Sequence, residues 1–307
     1  MTLRDAAETD TQTNEDSWRN SKHRKQWKST LGTYVYPIMG DMPVADIATN
    51  HVLAVLEPIW KEKAETANRI RGRIEVILDA AKVRGYRKGE NPARWRGHLA
   101  QILPARTRLS RGHHKSAPYG KIPDMLREIQ KRQAVASLAL EFTILTAART
   151  GEAIGATWEE VDLSKRVWTV PDARMKAGRE HRVPLSTRSI EILRIVAKLG
   201  SKWVFPGSKG SQLSGMAMAM LLRRMKTDVT VHGFRASFRD WTAECTAYPD
   251  EVCEMALAHT IGNKVEAAYR RGDLFEKRRR LMEDWAEYCA SLGSSDGEIV
   301  PIRVVTV

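Results

Sequence analysis

Long apolar runs are missing from this sequence of 307 residues. No stretch approaches the ~20 residues that a membrane-spanning helix requires. A signal peptide is missing as well, since Met1 to Ser17 is polar and acidic. Cysteine is scarce: Cys245, Cys253 and Cys289 are an odd number without CxxC spacing, which argues against a disulfide framework or a zinc site. His113-His114 has no acidic or cysteine partner nearby at ligand spacing. A P-loop motif is absent, as is a cluster of Asp and Glu suited to two magnesium ions, so neither ATP, a metal nor any other cofactor is expected. There is no internal repeat. Negative charge is in deficit, with 37 acidic against 50 basic side chains and a formal net charge of +13. That balance favours an anionic polymer, nucleic acid first, over a membrane surface. The cytosol, in association with the nucleoid, is the compartment consistent with these features.

The length leaves room for two domains, and the expected fold class is mainly α with a small antiparallel sheet. Residues 1–16 hold Asp5, Glu8, Asp10, Glu15 and Asp16 among Thr and Ala, with little to bury, and read as a mobile leader. Residues 17–100 read as a helical bundle. Trp27, Leu31, Tyr34 and Val35 repeat at helix spacing, Thr49 is placed to cap a second helix, and Ile70, Ile74, Ile77, Leu78 and Ala81 line a third. The third helix also carries Arg69, Arg71 and Arg73, a polar face able to run along a phosphate backbone. From Arg84 to Ser116 the composition is rich in Arg, Lys, Gly, Pro and His, which reads as an interdomain connection, with 101–116 as a basic linker.

Residues 117–292 read as a second domain. Met125, Leu126 and Ile129 mark one helix, and Leu138 to Ala148 a more buried one that delivers Arg149 at its end. Glu152, three residues on, is placed to orient that guanidinium. The period then changes: Arg166 to Pro171 and Glu180 to Leu185 are strand-like, with Lys176 at the turn between them. Ser186 and Ser214 are placed to cap two further helices, and Asp273 to Leu292 forms the last. Residues 293–307 remain as a tail.

One window concentrates the chemistry. His232 and Arg235 lie three apart, so a helix beginning near Gly233 turns both to one side, where two donors meet one anionic oxygen. His259 follows the apolar run Met255-Ala256-Leu257-Ala258 and faces a cleft at a helix end. Tyr269 sits between small residues and two arginines.

The order Arg149 in Thr146-Ala147-Ala148-Arg149-Thr150-Gly151-Glu152, Lys176 in Arg174-Met175-Lys176-Ala177-Gly178, His232-x-x-Arg235, His259 and Tyr269 resembles a tyrosine recombinase of the phage integrase family, specifically a P4-like prophage integrase. His181-Arg182-Val183-Pro184-Leu185-Ser186 and Leu257-Ala258-His259 belong to the same likeness, which covers nearly all of residues 17–292. The resemblance implies a core-binding domain at 17–100, with its arginines on DNA, and a catalytic domain at 117–292. The further N-terminal domain of such integrases, which binds arm sites, has no counterpart here, so a truncation or a variant without arm binding is expected.

The chemistry follows from these side chains. Arg149 and Arg235, planar and always charged, suit the nonbridging oxygens of a scissile phosphodiester, and His232 and His259 add donors. Tyr269 attacks and leaves a phosphotyrosyl bond to the 3′ end, with the base unassigned. The resemblance makes Lys176 the donor of a proton to the departing 5′ oxygen. It further implies a homotetramer on duplex attachment sites, a Holliday junction, and a host DNA-bending protein and an excision factor as partners. A catalytically silent remnant occupying attachment sites, and a type IB topoisomerase, are the competing expectations.

Overall fold

Two separate hydrophobic cores organise the chain. The computed structural model describes residues 1–13, 21–104, 115–259 and 272–291, and these fall into two units, Met1–Arg111 and Gly112–Val307. Among the described residues no helix is long and apolar enough to cross a membrane.

The first unit contains α1 (Leu3–Thr13), α2 (Ser21–Thr30), α3 (Tyr36–Met39), α4 (Thr49–Trp60) and α5 (Ala64–Val83). A π-helical turn at Leu31–Val35 joins α2 to α3. Helix α5 is central because Ala67, Ile70, Ile74, Ile77, Leu78 and Ala81 are all buried, the stripe that a helical period of 3.6 residues lays on one face.

Within the segment expected to be a mobile leader, Leu3–Thr13 forms α1. Its buried residues Leu3, Ala6, Ala7, Asp10 and Thr11 recur at i, i+3, i+4, i+7 and i+8, and this stripe packs on α5. Small residues suffice there because they let the two helices approach closely.

A second correction concerns the stretch after α5. Up to Pro104 it is part of the first core rather than a connection: Arg87 is buried and donates to the carbonyls of Val44 and Ile47, both at 2.8 Å. Trp95 stacks on Trp60 with ring centroids 5.5 Å apart, and Leu99 is fully buried. Thr49 does not cap α4, since its hydroxyl pairs with His98 Nε2 at 2.8 Å. The backbone N–H of Ala48 donates instead to His51 Nδ1 at 3.1 Å. His113-His114 lies outside the described residues.

The second unit contains α6 (Ile122–Gln130), α7 (Val135–Leu145), α8 (Thr150–Ile154), β1 (Val161–Asp162), β2 (Val167–Val170), β3 (His181–Pro184), α9 (Thr187–Ala197), α10 (Ala217–Arg224), α11 (Gly233–Cys245), α12 (Asp250–Ala256) and α13 (Phe275–Ala290). The strands form an antiparallel sheet in the order β1-β2-β3, with Trp168 opposite Val183 and Val170 opposite His181. The two strand-like stretches of the sequence are β2 and β3, and the two-residue β1 extends their hairpin.

Ser186 caps α9 as its position predicts, accepting from Ser189 N–H at 3.3 Å. Ser214 instead closes a turn one step earlier, accepting from Met216 N–H, and α10 begins at Ala217. Helix α7 runs through the core with nearly every side chain buried. Its end is propped by Trp285 of α13, whose indole N–H donates to the carbonyl of Ile144 at 3.0 Å.

Candidate active site

Helices α7 and α12 end in the same way, and these two turns lead to Arg149 and His259. After α7, Ala147 adopts a left-handed backbone with φ 47°. Its N–H bonds to the carbonyl of Ile144, and that of Ala148 to the carbonyl of Thr143. After α12, Ala258 adopts φ 48°, its N–H bonds to the carbonyl of Met255, and that of His259 to the carbonyl of Glu254. Both are Schellman turns, in which glycine ordinarily fills the left-handed position. Here the position is alanine, and Arg149 and His259 leave their turns directly.

Two guanidiniums join these turns. Arg235, on α11 and only 6% exposed, donates through Nη1 to the carbonyl of Ala147. Its Nη2 donates to the carbonyl of Leu257 at 2.5 Å and reaches His259 Nε2 at 3.2 Å. Arg149 Nη2 lies 3.3 Å from the carbonyl of Ala258. Each arginine therefore holds the other's neighbourhood in place.

Arg149 is further set by Glu152. The buried carboxylate accepts the backbone N–H of Arg149 at 2.9 Å and its Nη1 at 2.8 Å. A guanidinium carries five N–H donors, and Glu152 and Ala258 occupy two of those on Arg149.

Burial and the nearby Arg149 pull the Arg235 guanidinium down to about 10, against the opposing pull of Glu152 and Glu254. It stays charged at neutral pH. Two cations are thus held close together by backbone carbonyl groups.

His259 is 44% exposed at its side chain. Its Nδ1 lies 2.7 Å from Glu254 Oε2. Glu254 also accepts from Arg239 Nε at 2.8 Å, and Arg239 reaches Asp250 at 2.9 Å. Burial works to raise the Glu254 carboxyl, but the bonds from His259 and Arg239 outweigh it and hold the group below its ordinary range.

His232 caps α11 with an exposed ring, one turn before Arg235. The start of that helix is tightly covered. Thr230 N–H donates to the carbonyl of Lys115 at 2.9 Å, and a Cβ on Gly233 would stand 2.2 Å from the same oxygen, so only glycine fits there.

Lys176 stands exposed in the turn between β2 and β3, and the hydrogen bonds that tie Arg149, Arg235 and His259 together do not include it. The base of its loop is pinned, since Arg174 donates to Glu160 and to the carbonyl of Glu152. His181, on β3, is shielded from water and under the influence of Arg278, Arg149 and Arg235. Tyr269 lies outside the described residues.

In the first unit the three expected DNA-facing arginines divide. Arg73 is 5% exposed, donates to the carbonyl of Gln26 at 2.9 Å and to the Thr30 hydroxyl, and lies 5.2 Å from the centre of the Trp27 ring. Burial under α2 removes it from any phosphate backbone. Arg71 is turned to Glu75 at 2.6 Å and to the carbonyl of Ala93 at 2.9 Å. Arg69 alone of the three stays exposed, 3.0 Å from Glu65.

Residues missed from the sequence were Glu254 and Arg239. The only signal was a Glu five residues before His259, which brings its carboxylate back onto the ring only if the helix ends in a tight turn.

Comparison with known proteins places both units. Residues 119–274 match the profile described as "Phage integrase family", and residues 3–98 match "Phage integrase central domain", a match that begins within α1. Prophage integrase IntZ of Escherichia coli K12 is 31% identical over 286 residues, covering 91% of this chain and 69% of IntZ. The integrase of Enterobacteria phage P4 is 27% identical over 290 residues, covering 87% of this chain and 64% of that protein. The chain thus spans about two thirds of the length of these curated relatives. A lambda integrase tetramer bound to a Holliday junction superposes with a TM-score of 0.66 at 17% identity, over 86% of this chain and 79% of that one, a likeness of fold.

Proposed function

The chain belongs to the phage integrase family, and from that premise we propose that it cuts and rejoins duplex DNA at specific sites through a 3′-phosphotyrosyl intermediate. The observation that carries this reading is the joining of Arg149 and Arg235 across two helix ends, with His259 beside them. The scissile phosphodiester brings one negative charge and gains more in its pentacoordinate transition state. Donors fixed in advance stabilise that added charge without reorganising. Arg149 and Arg235 hold the nonbridging oxygens, His232 and His259 flank them, and Glu152 keeps Arg149 aimed.

Tyr269 is the nucleophile in this reading, and its phenol, with a free pKa of ~10, must lose a proton as it attacks. Lys176, on the pinned hairpin loop, gives a proton to the departing 5′ oxygen. Attack by a 5′-hydroxyl of a partner duplex reverses the step and rejoins the strands. The energy of the broken bond is kept in the phosphotyrosine. The same reading includes assembly of four copies on DNA, attachment sites of defined sequence, a host DNA-bending protein and an excision factor, and residence in the cytoplasm at the nucleoid. Arg69 remains a candidate phosphate contact of the first unit.

The test is covalent capture from a pool of nicked duplexes with a randomised core. The nick lets the cut fragment diffuse away, so the intermediate accumulates. A protease-sensitive protein–DNA band on a denaturing gel, lost in Tyr269→Phe, is the expected result. Duplexes retained on a native gel without any adduct would sink the enzymatic reading in favour of a silent DNA-binding protein.

A further inference from the structure

The hydrogen bonds around His259 define which of its nitrogens carries the proton. A guanidinium only donates, so the 3.2 Å contact between Arg235 Nη2 and His259 Nε2 requires a lone pair on Nε2. The proton of the neutral ring is then on Nδ1, and the 2.7 Å contact with Glu254 Oε2 is a donation from Nδ1–H to a carboxylate. Glu254 is itself held on its other oxygen by Arg239 Nε at 2.8 Å. The chain Arg239–Glu254–His259–Arg235 is continuous, and it runs from α11 through α12 and back to α11.

This arrangement has a consequence for a phosphate. With Nε2 accepting from Arg235, the ring has no N–H at that nitrogen to offer a phosphate oxygen. Nε2 becomes a donor only when it gains a proton, giving an imidazolium whose Nδ1–H still rests on Glu254. Among the described residues, the charged groups around the ring are Glu254 on α12, Arg235 and Arg239 on α11, and Arg149 at the start of α8, whose Nη2 lies on the carbonyl of the preceding Ala258. Three of the four are cations, so the imidazolium depends on Glu254 and on the incoming phosphate.

We propose that Glu254 is a positioning residue that holds His259 as its Nδ1–H form, and that His259 takes up a proton from solvent at Nε2 as the scissile phosphate enters. The loaded site gains a donor that the free one lacks. This inference rests on the reading of the site as a phosphodiester clamp, and it adds to that reading a residue and a proton.

Two measurements on the full chain decide it. The first uses histidine-selective 15N labelling, with the His259 signal identified by its loss in His259→Asn. At pH above 7 the free wild-type chain is expected to show a protonated Nδ1 and a bare Nε2. In Glu254→Gln, Arg239 keeps the amide oxygen and the amide NH2 faces Nδ1, so the form is lost or reversed. A bare Nδ1 in the wild type, or a spectrum unchanged in Glu254→Gln, overturns the proposal.

The second compares adduct formation on the duplexes captured by wild type. Glu254→Gln should retain DNA on a native gel yet form adduct more slowly by about tenfold to a hundredfold, the range seen when the partner orienting a functional imidazole is lost. Lowering the pH should recover much of that loss, because proton supply then replaces the missing carboxylate. A deficit equal at every pH marks a structural role and refutes the proton uptake. If wild type forms no adduct at all, the recombinase reading fails, and the 15N spectra still judge the tautomer and the role of Glu254.

Discussion

Burying a guanidinium costs heavily unless its donors are met, and Arg235 shows how this protein meets them. Carbonyl oxygens of two helix ends and one imidazole nitrogen surround it, so the charge is solvated by the backbone. His181 illustrates the opposite outcome. Burial first, then the cations Arg278, Arg149 and Arg235, lower its imidazole to about 4, with Glu152 opposing them. The unfolded chain binds this proton below its ordinary value of 6.5, whereas the folded chain does not until about 4. The unfolded state therefore holds more protons within that window, and stability falls as the pH drops through it. Above the window the group contributes no pH dependence. Urea unfolding of wild type and His181→Gln, compared from neutral pH down to pH about 4, should show the variant losing less stability on acidification. A difference independent of pH would rule out the assignment.

At the scale of elements, the turns after α7 and α12 are two of the places where the chain holds a non-glycine residue in the left-handed region. An alanine in the left-handed region costs roughly 1–2 kcal/mol, and Ala147 and Ala258 both sit there, two residues before Arg149 and immediately before His259. Their carbonyls are the ones that Arg235 and Arg149 grip. Replacing either by glycine removes the steric term while adding backbone entropy to the unfolded chain. Ala147→Gly and Ala258→Gly are each expected to stabilise the second unit by about 0.5–1 kcal/mol, read as a rise in the urea midpoint. A lowered midpoint would show that alanine is held there by packing instead. The helices themselves were legible from apolar spacing, and so was the Ser186 cap. Their endings were not, because an alanine offers no sign of a left-handed turn until arginines from elsewhere latch it.

For the molecule as a whole, net charge sets the expectation. An excess of 13 positive charges, with Arg71 and Arg73 withdrawn into the first core, leaves much of the basic surface to other lysines and arginines. Each phosphate neutralised steepens the fall of affinity with salt, by a slope of about 0.9 per contact on logarithmic axes. Duplex binding should weaken by about a thousandfold between roughly 50 and 200 mM salt if six or more phosphates are engaged. Filter binding over a salt series checks this, and a flat response would count against a phosphate clamp.

The order of the two units and the mainly helical fold with its small sheet were determined by the sequence itself, because apolar period and turn residues are local properties. The sequence also proposes the set Arg149, Lys176, His232, Arg235, His259 and Tyr269, since the motifs stand in a recognisable order. Tertiary structure alone decided what those side chains touch. It folded the acidic first residues into α1, because a stripe of Leu3, Ala6 and Ala7 has value only against another helix. It turned Arg73 inward and brought Glu254 onto His259. A hydrogen bond between residues distant in sequence depends on where helices end and cross, and no local pattern encodes that.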